Sequence, residues 1–484
     1  MPEHVLVWFR QDLRIEDNPA LSAALKTGQP LIPVYIYAPD EETPWSPGGA
    51  SKWWLHHVLD ALNRQLQEFG SGLVIRDGAS LENLLEICET HNVSSVFWNR
   101  RYEPAIISRD AHIKQQLRDE GIGAESFSAS LLYEPHTIQN RSGKPFRVFT
   151  PFWKHLRTLS VEAPVAVDID GLTAPTTAPR SDSLQSLKLL PDIHWDKHFY
   201  KYWDPSLEAA GQTLTEFAQQ RVRHYKDRRD LPAVNGTSRL SPYLHFGQLG
   251  PRQVWQALLR AGPVDGPGEY TFLSEIGWRE FAYHLLFHFP DTPEQALNKS
   301  YSEFPWQADA AFLKAWQTGQ TGYPIVDAGM RQLWQTGWMH NRVRMIAASF
   351  LVKHLLQPWQ QGARWFWDTL VDADLASNTM GWQWTAGCGA DASPYFRIFS
   401  PMLQGAKFDA DGDYVRKWVP ELKNMPAKFI HQPWEAPYEV LKLAGVKLGE
   451  DYPKPVIDHK AGRERALAAL SENKHRAALL NDQE

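Results

Sequence analysis

The chain has 484 residues, of which 43% are hydrophobic and 22% charged, and its formal net charge is -6. This composition is typical of folded globular proteins and excludes disorder of the whole chain, while the length predicts two or three domains of roughly 100 to 200 residues each. Cys88 and Cys388 lie far apart and outside any zinc-ligand spacing, so neither a disulfide framework nor a metal site is expected.

The N-terminus enters an apolar run directly, without the basic start and apolar core of a secretion signal. No apolar stretch reaches the roughly 18 residues that a membrane-spanning helix needs. We therefore expect a cytoplasmic protein that does not contact a membrane.

Strand and helix patterns alternate over the first part of the chain. Short runs rich in β-branched and aromatic residues predict buried parallel strands at 5–9, 31–37, 73–76 and 96–98, and helical periodicity follows at 19–26, 51–69, 81–90 and 105–120. The alternation predicts a doubly wound, Rossmann-like parallel-sheet domain over residues 1–130. No GxGxxG follows the first strand, so an ordinary dinucleotide site is not expected there.

Beyond this domain the pattern changes twice. Residues 131–200 carry clusters of Pro, Ser, Thr and Asp and are predicted to form a connector over the surface. Amphipathic helical segments then follow one another, which predicts a large all-α domain over 201–475 and a tail over 476–484.

One loop has side chains suited to binding an anion. The segment NGTSRLSPYLHFG, residues 235–247, places Thr237, Ser238, Arg239 and Ser241 just before a proline-started helical run. Taken by itself, this pattern more often marks a capped helix start than a phosphate site.

Three motifs closely resemble the photolyase and cryptochrome family, flavoproteins that use blue light. They are SEIGWREF at 274–281, GWMHNRVRM at 337–345 and DADLASNTMGWQW at 372–384. The resemblance runs through nearly the whole chain. It implies that the helical domain binds FAD and that UV-damaged DNA is the partner.

The same resemblance implies a set of FAD-binding residues. The loop at 235–247 resembles the family's flavin pyrophosphate loop, and Arg344 and Asp372 resemble the pair that flanks the flavin ring. The expected flavin ligands are Tyr225, Thr237, Ser238, Arg239, Leu240, Ser241, Phe272, Glu275, Arg279, Asn341, Arg344, Asp372, Asp374 and Asn378.

Asn378 bears on the choice between repair and signalling. At the position that faces flavin N5, plant cryptochromes typically carry Asp and insect light receptors carry Cys, whereas this chain has an amide. An amide donates no acidic proton and places no negative charge beside the flavin, which favours a stable reduced cofactor and hence repair.

A lesion pocket and DNA contacts also follow from the resemblance. Glu275, Trp278, Asn341, Met345 and Trp384 match the positions that line the lesion pocket of cyclobutane pyrimidine dimer photolyases, and Arg342 and Arg397 are expected to bind phosphates. Indoles, a thioether and hydrogen-bonding groups suit a flipped pyrimidine pair; extrusion of the bases is known of photolyases. Enzymes for the (6-4) photoproduct carry two histidines, at the positions of Asn341 and Met345, which this chain lacks.

Three tryptophans match the family's light-driven electron path. The resemblance places this electron path at Trp382, Trp359 and Trp306, although the chain has 21 tryptophans in all. Together with Glu275 and Asn378 they complete the expected catalytic set.

Two departures from the family pattern concern packing and the antenna chromophore. Gly277 replaces a larger apolar residue of many relatives and is expected to loosen the packing under the pocket. Residues 37–59 resemble class III photolyases and plant cryptochromes, and Ala105 and Ile106 replace the acid and amide that bind folate in the enteric branch. We expect methenyltetrahydrofolate held in the class III manner first, and a deazaflavin or an empty site second.

The resemblance therefore implies a monomeric, FAD-dependent photolyase that splits cyclobutane pyrimidine dimers by electron transfer from the photoexcited reduced flavin. The alternatives are a cryptochrome photoreceptor, a (6-4) photolyase, and a flavin-containing DNA-binding protein without repair activity. The intact pocket and Asn378 weigh against the first of these alternatives.

Overall fold

The fold contains a five-stranded parallel sheet, seen in a computed structural model that describes residues 3–392 and 396–481. The strands are β1 His4–Phe9, β2 Leu31–Tyr37, β3 Val74–Asp77, β4 Val93–Asn99 and β5 Gly123–Phe127. They lie in the order β3-β2-β1-β4-β5, and every neighbouring pair is parallel. The predicted fold class, a parallel-sheet domain followed by a largely helical one, is confirmed.

The strands that the sequence predicts are those whose residues are mostly buried. All six residues of β1 are buried, because helices cover both faces of a parallel sheet. The fifth strand, β5, was not predicted, since its sequence GAESF offers only Ala124 as a buried apolar residue at the sheet edge. Gly123 lets β5 approach β4, because a Cβ there would lie 2.3 Å from Ser95 Oγ.

The chain divides into two compact units. The sheet unit takes the chain up to Arg223 together with Ser238–Pro290 and Val371–Ala376, and the helical unit takes His224–Thr237, Asp291–Leu370 and the described residues from Ser377 onward.

The sheet unit contains helices between the strands of the chain and further helices after the last strand. They are Pro19–Leu25, Gly49–Glu68, Ser80–Thr90, Pro104–Asp119, Phe149–Leu156, Leu207–Glu216, Ser241–His245, Pro251–Ala261 and Pro267–His288. Proline opens several of them, where its missing amide hydrogen costs no helical hydrogen bond.

The predicted connector at 131–200 is not a plain loop. It contains the Phe149–Leu156 helix, whose Phe152 and Trp153 are buried, and several 3-10 turns. The surrounding Pro, Ser and Thr clusters obscured this short helix, which is stabilised by packing of its aromatic face.

The helical unit is built from short and medium helices. Those with bounds in the described part of the chain are Tyr225–Arg228, Ala310–Gln317, Pro324–Thr336, Asn341–Ser349, Trp359–Thr369, Leu375–Ala386, Pro401–Phe408, Asp413–Trp418, Ala427–Ile430, Tyr438–Ala444 and His459–Asn481; the Leu375–Ala386 helix begins in the sheet unit. Among the described residues, no helix combines the length and the apolar character needed to cross a bilayer.

A buried carboxylate organises the start of one helix in this unit. Asp327 Oδ1 accepts hydrogen bonds from the Thr321 amide at 2.7 Å and its hydroxyl at 2.6 Å, and Oδ2 accepts from the Tyr452 hydroxyl at 2.6 Å. Buried carboxylates need such partners, so the network ties distant segments of the helical unit together.

Candidate functional site

The predicted phosphate loop brings a hydroxyl and an acid together in the sheet unit. Ser241 Oγ donates to Asp372 Oδ2 at 2.6 Å. Arg239 has a left-handed φ of 58°, and its guanidinium lies 4.2 Å from the ring centroid of Trp203. Burial lowers the pKa of Arg239. The half-buried guanidinium of Arg239 is a donor that suits a pyrophosphate, whereas the hydroxyl hydrogen of Ser241 is already donated to Asp372.

Asp374 lies in a network that the sequence did not reveal. Its Oδ2 accepts a hydrogen bond from the Tyr283 hydroxyl at 2.5 Å, and His245 Nδ1 lies 3.7 Å away. Burial by itself would raise the pKa of Asp374, but His245, Arg279 and the Tyr283 hydroxyl outweigh it and hold that pKa well below its ordinary value. Asp374 is therefore a buried, ionised group.

The Pro267–His288 helix carries Glu275, Trp278 and Arg279 of the predicted site. The Trp278 ring stacks on Phe149 with centroids 3.6 Å apart and planes 9° from parallel. Arg279 Nη1 donates to the Ser130 carbonyl at 2.6 Å. Trp278 is half-buried, and Phe149 covers one face of its indole.

The expected loosening around Gly277 is wrong. A Cβ at this position would lie 2.5 Å from Cε3 of Trp153, far inside van der Waals contact. The Trp153 ring therefore fills the space beside Gly277. Trp153 lies in the Phe149–Leu156 helix, which the sequence did not predict.

Glu280, next to Arg279, is a buried acid without a predicted role. Its Oε2 accepts from the amides of Leu132 at 3.0 Å and Tyr133 at 3.3 Å, and its Oε1 has no hydrogen-bond partner among the described residues. Burial raises the pKa of Glu280 to about 7, although Arg279 and the two amides act in the opposite direction.

In the helical unit, His340 caps the helix Asn341–Ser349. The His340 side chain accepts a hydrogen bond from the Arg342 amide at 3.2 Å, and burial lowers the pKa of His340 to about 4. Asn341 is exposed, whereas Arg342, Arg344 and Met345 are half-buried. Arg344 Nε donates to the Met339 carbonyl at 2.7 Å. The neutral imidazole expected from this pKa can act as the cap acceptor.

The Leu375–Ala386 helix carries Asn378, Trp382 and Trp384. Asn378 Nδ2 donates to the Ala363 carbonyl at 3.0 Å, which fixes the orientation of the amide. Trp384 is half-buried. Further along, Lys353 Nζ donates to the Ala386 carbonyl at 2.7 Å, and burial lowers the pKa of this lysine well below its ordinary value.

The three predicted electron-path tryptophans differ in burial. Trp382 and Trp359 are each 2% exposed, and Trp306 is half-buried against Phe304, with ring centroids 4.4 Å apart. Trp382 also meets Trp316 at 6.1 Å between centroids, a neighbour that motif reasoning missed. A Cβ on Gly362 would lie 2.1 Å from Trp382 Cη2, so this glycine makes room for the indole.

The remaining predicted residues are placed as follows. Tyr225 is buried in the helical unit, with the Arg229 guanidinium 5.3 Å from its ring centroid, and Thr237 is half-buried in the same unit. In the sheet unit Leu240 is buried and Phe272 packs on Phe217 at 4.5 Å. Arg397 is exposed.

Family models match both parts of the chain. The model described as DNA photolyase matches residues 5–168, and that described as FAD binding domain of DNA photolyase matches residues 272–472. The chain belongs to the DNA photolyase and cryptochrome family, and its C-terminal part is the FAD-binding domain of that family.

Individual relatives cover almost the whole chain. A deoxyribodipyrimidine photo-lyase of Agrobacterium fabrum is 50% identical over 96% of this chain and 97% of its own length, and that of Escherichia coli is 39% identical over 96% and 98%. Cryptochrome-2 of Arabidopsis thaliana is 40% identical over 99% and 81%. The structure of a class III photolyase from Agrobacterium tumefaciens is 50% identical, with a TM-score of 0.94 over 98% of both chains.

Proposed function

We propose that this protein is a deoxyribodipyrimidine photo-lyase that uses FAD and blue light to split cyclobutane pyrimidine dimers in DNA. The proposal rests on five side chains that match the family's lesion-binding positions, in a chain 50% identical to a deoxyribodipyrimidine photo-lyase; they are Glu275, Trp278, Asn341, Met345 and Trp384.

The residues present fit FAD. We propose that Tyr225, Thr237, Ser238, Arg239, Leu240 and Ser241 hold its phosphates, because this set supplies hydroxyls and a guanidinium. Asp372, Asp374, Arg344, Asn378, Asn341, Arg279, Glu275 and Phe272 would contact the remainder of the cofactor. The ionised Asp374 offers acceptor oxygens, which suit N–H and O–H groups of a flavin. When bound and reduced, the flavin supplies the electron on absorbing light.

The protein's own contribution is to bind, orient and shield the substrate. Trp278, supported from behind by Phe149, offers a fixed aromatic surface for a flipped pyrimidine. Asn341 and Glu275 would hydrogen-bond the pyrimidine edges, and Met345 and Trp384 would exclude water. Arg342 and Arg397 would bind the flanking phosphates. The chemistry needs no protein nucleophile.

For light-driven reduction we propose the path Trp382, Trp359 and Trp306. Burial decreases from the first two indoles to the third, as expected for a path that ends near the surface. Asn378, with its amide fixed by the Ala363 carbonyl, would help to keep the flavin reduced.

The antenna proposal is methenyltetrahydrofolate, with a deazaflavin or an empty site as the alternatives. In a doubly wound sheet, ligands bind at the carboxyl ends of the strands where the order reverses. Here Arg10, which follows β1, donates to the Asn99 carbonyl at the end of β4 and pairs with Asp110 at 2.7 Å. These side chains occupy that position, which favours a chromophore bound elsewhere. Mass spectrometry of chromophore released from the purified protein would identify it.

We further propose a monomeric, cytoplasmic protein whose partner is UV-damaged DNA. Both Cys88 and Cys388 are free and buried, in keeping with a reducing compartment. Size-exclusion chromatography with light scattering tests the monomer, and fractionation of the native host tests the location.

A direct test uses UV-irradiated oligothymidine. Under blue light the photoreduced protein should restore the thymine absorbance, the dark control should not, and Asn341→Ala should repair much more slowly.

A second candidate function, blue-light signalling, is favoured by the 40% identity to Cryptochrome-2 of Arabidopsis thaliana. Bound, photoreducible FAD without any repair would select it.

A further inference from the structure

Arg342, the residue proposed to bind a DNA phosphate, is already paired with an acid. Its Nη2 lies 2.9 Å from Asp230 Oδ2, and its Nε donates to Asp230 Oδ1 at 3.3 Å. Two parallel N–H to oxygen contacts of this kind are also how a guanidinium binds a phosphate. Asp230 therefore occupies one of the two guanidinium edges of Arg342 that can bind a phosphate in this way.

The surroundings hold both partners in place without burying them. The Arg342 guanidinium lies 4.5 Å from the ring centroid of Phe408, and its side chain is 20% exposed. Asp230 is 32% exposed, and Arg229 Nε lies 3.9 Å from its Oδ1. A pair that solvent still reaches can be opened at modest cost, because exposed ion pairs contribute only ~0.2 to 1 kcal/mol.

We propose that Asp230 is an internal competitor of the DNA backbone for Arg342. In the free protein Asp230 fills the guanidinium edge; on DNA a phosphate displaces it; when the DNA leaves, Asp230 returns. The competitor weakens DNA binding and speeds release of repaired DNA. This inference rests on the proposed function, and in particular on Arg342 as a phosphate ligand.

The first test is Asp230→Asn, which removes the charge and keeps the size. Affinity for a duplex with one thymine dimer should rise about two- to fivefold, the factor that corresponds to losing a partly exposed ion pair. The dissociation rate of the repaired duplex should fall, and turnover with excess substrate should become slower. The dependence of affinity on salt should steepen, because Arg342 then neutralises a phosphate without an acid beside it.

Glu421→Gln is the matched control. Glu421 pairs with Arg331 at 2.8 Å in the same unit, the two side chains are 29% and 14% exposed, and the substitution changes the net charge by the same amount. It should leave DNA affinity and release unchanged. The FAD content of each variant shows that the protein has folded.

A double-mutant cycle decides whether Asp230 acts through Arg342. If it does, Asp230→Asn has no effect on affinity in an Arg342→Gln background. An equal gain in both backgrounds would mean general repulsion of DNA and would overturn the inference. Unchanged affinity of the Arg342→Gln single variant for the duplex that carries the lesion would also overturn the inference. Repair of oligothymidine by the unsubstituted protein reports separately on the proposed function, which can stand when this inference fails.

Discussion

Replacement of Glu280 by glutamine should change how stability depends on pH. Burial raises the pKa of this carboxyl from 4.5 to about 7 in the folded protein. The folded state therefore binds a proton more tightly than the unfolded state does. The resulting stabilisation is complete below pH 4.5 and is lost as the pH rises to about 7. This rise in the pKa of Glu280 corresponds to about 3 kcal/mol of unfolding free energy.

Glutamine cannot ionise, but its carbonyl can still accept the amide hydrogen bonds of Leu132 and Tyr133. Glu280→Gln should therefore gain about 3 kcal/mol relative to the native protein between pH 4 and pH 8. For a chain of 484 residues this equals a difference in melting temperature of about 3 °C.

Differential scanning calorimetry at a series of pH values measures this difference, at constant ionic strength and equal FAD content. A difference in melting temperature that does not change with pH would refute the reasoning, because it would mean that Glu280 has no raised pKa in the folded state.

Three further substitutions and one control test the packing, the electron path and the flavin environment. Gly277→Ala should destabilise by about 1 to 3 kcal/mol in thermal unfolding, because its Cβ would meet Trp153 at 2.5 Å. Gly381→Ala, with nothing within 4 Å of its Cβ, is the helix control and should stabilise by about 0.5 to 1 kcal/mol; equal effects would contradict the packing argument. Trp382→Phe should abolish most photoreduction of bound FAD, while the chemically reduced protein still repairs; photoreduction at the native rate would remove Trp382 from the path. Asn378→Ser loses the hydrogen bond from the side-chain amide to the Ala363 carbonyl, so its reduced flavin should reoxidise faster in air. An unchanged rate of reoxidation would argue against a role of Asn378 in keeping the flavin reduced.

The sequence predicted the parts of the fold in which burial leaves a simple pattern. β1 and β2 are buried along their whole lengths and so appear as continuous apolar runs. The edge strand β5 and the Phe149–Leu156 helix were missed because the first is mostly polar and the second is short. Neither has enough local periodicity to stand out from the neighbouring loops.

For the candidate site, the motifs gave the residues but not their partners. Asp230 lies 112 positions from Arg342, and Tyr283 lies 91 positions from Asp374. Pairings at such separations depend on tertiary packing, which a single sequence does not encode as a local pattern. Glu280 could have been noticed, because its charge interrupts a largely buried stretch of the Pro267–His288 helix.

Repair of two defined lesions distinguishes a cyclobutane dimer photolyase from a (6-4) photolyase and from a photoreceptor. One duplex carries a single thymine cyclobutane dimer and the other a single (6-4) photoproduct, and the photoreduced protein acts on each in light and in darkness, with chromatography of the products. We expect restored thymines only from the cyclobutane dimer and only in light. Repair of the (6-4) duplex, or no repair of either with FAD bound and reduced, would contradict this expectation.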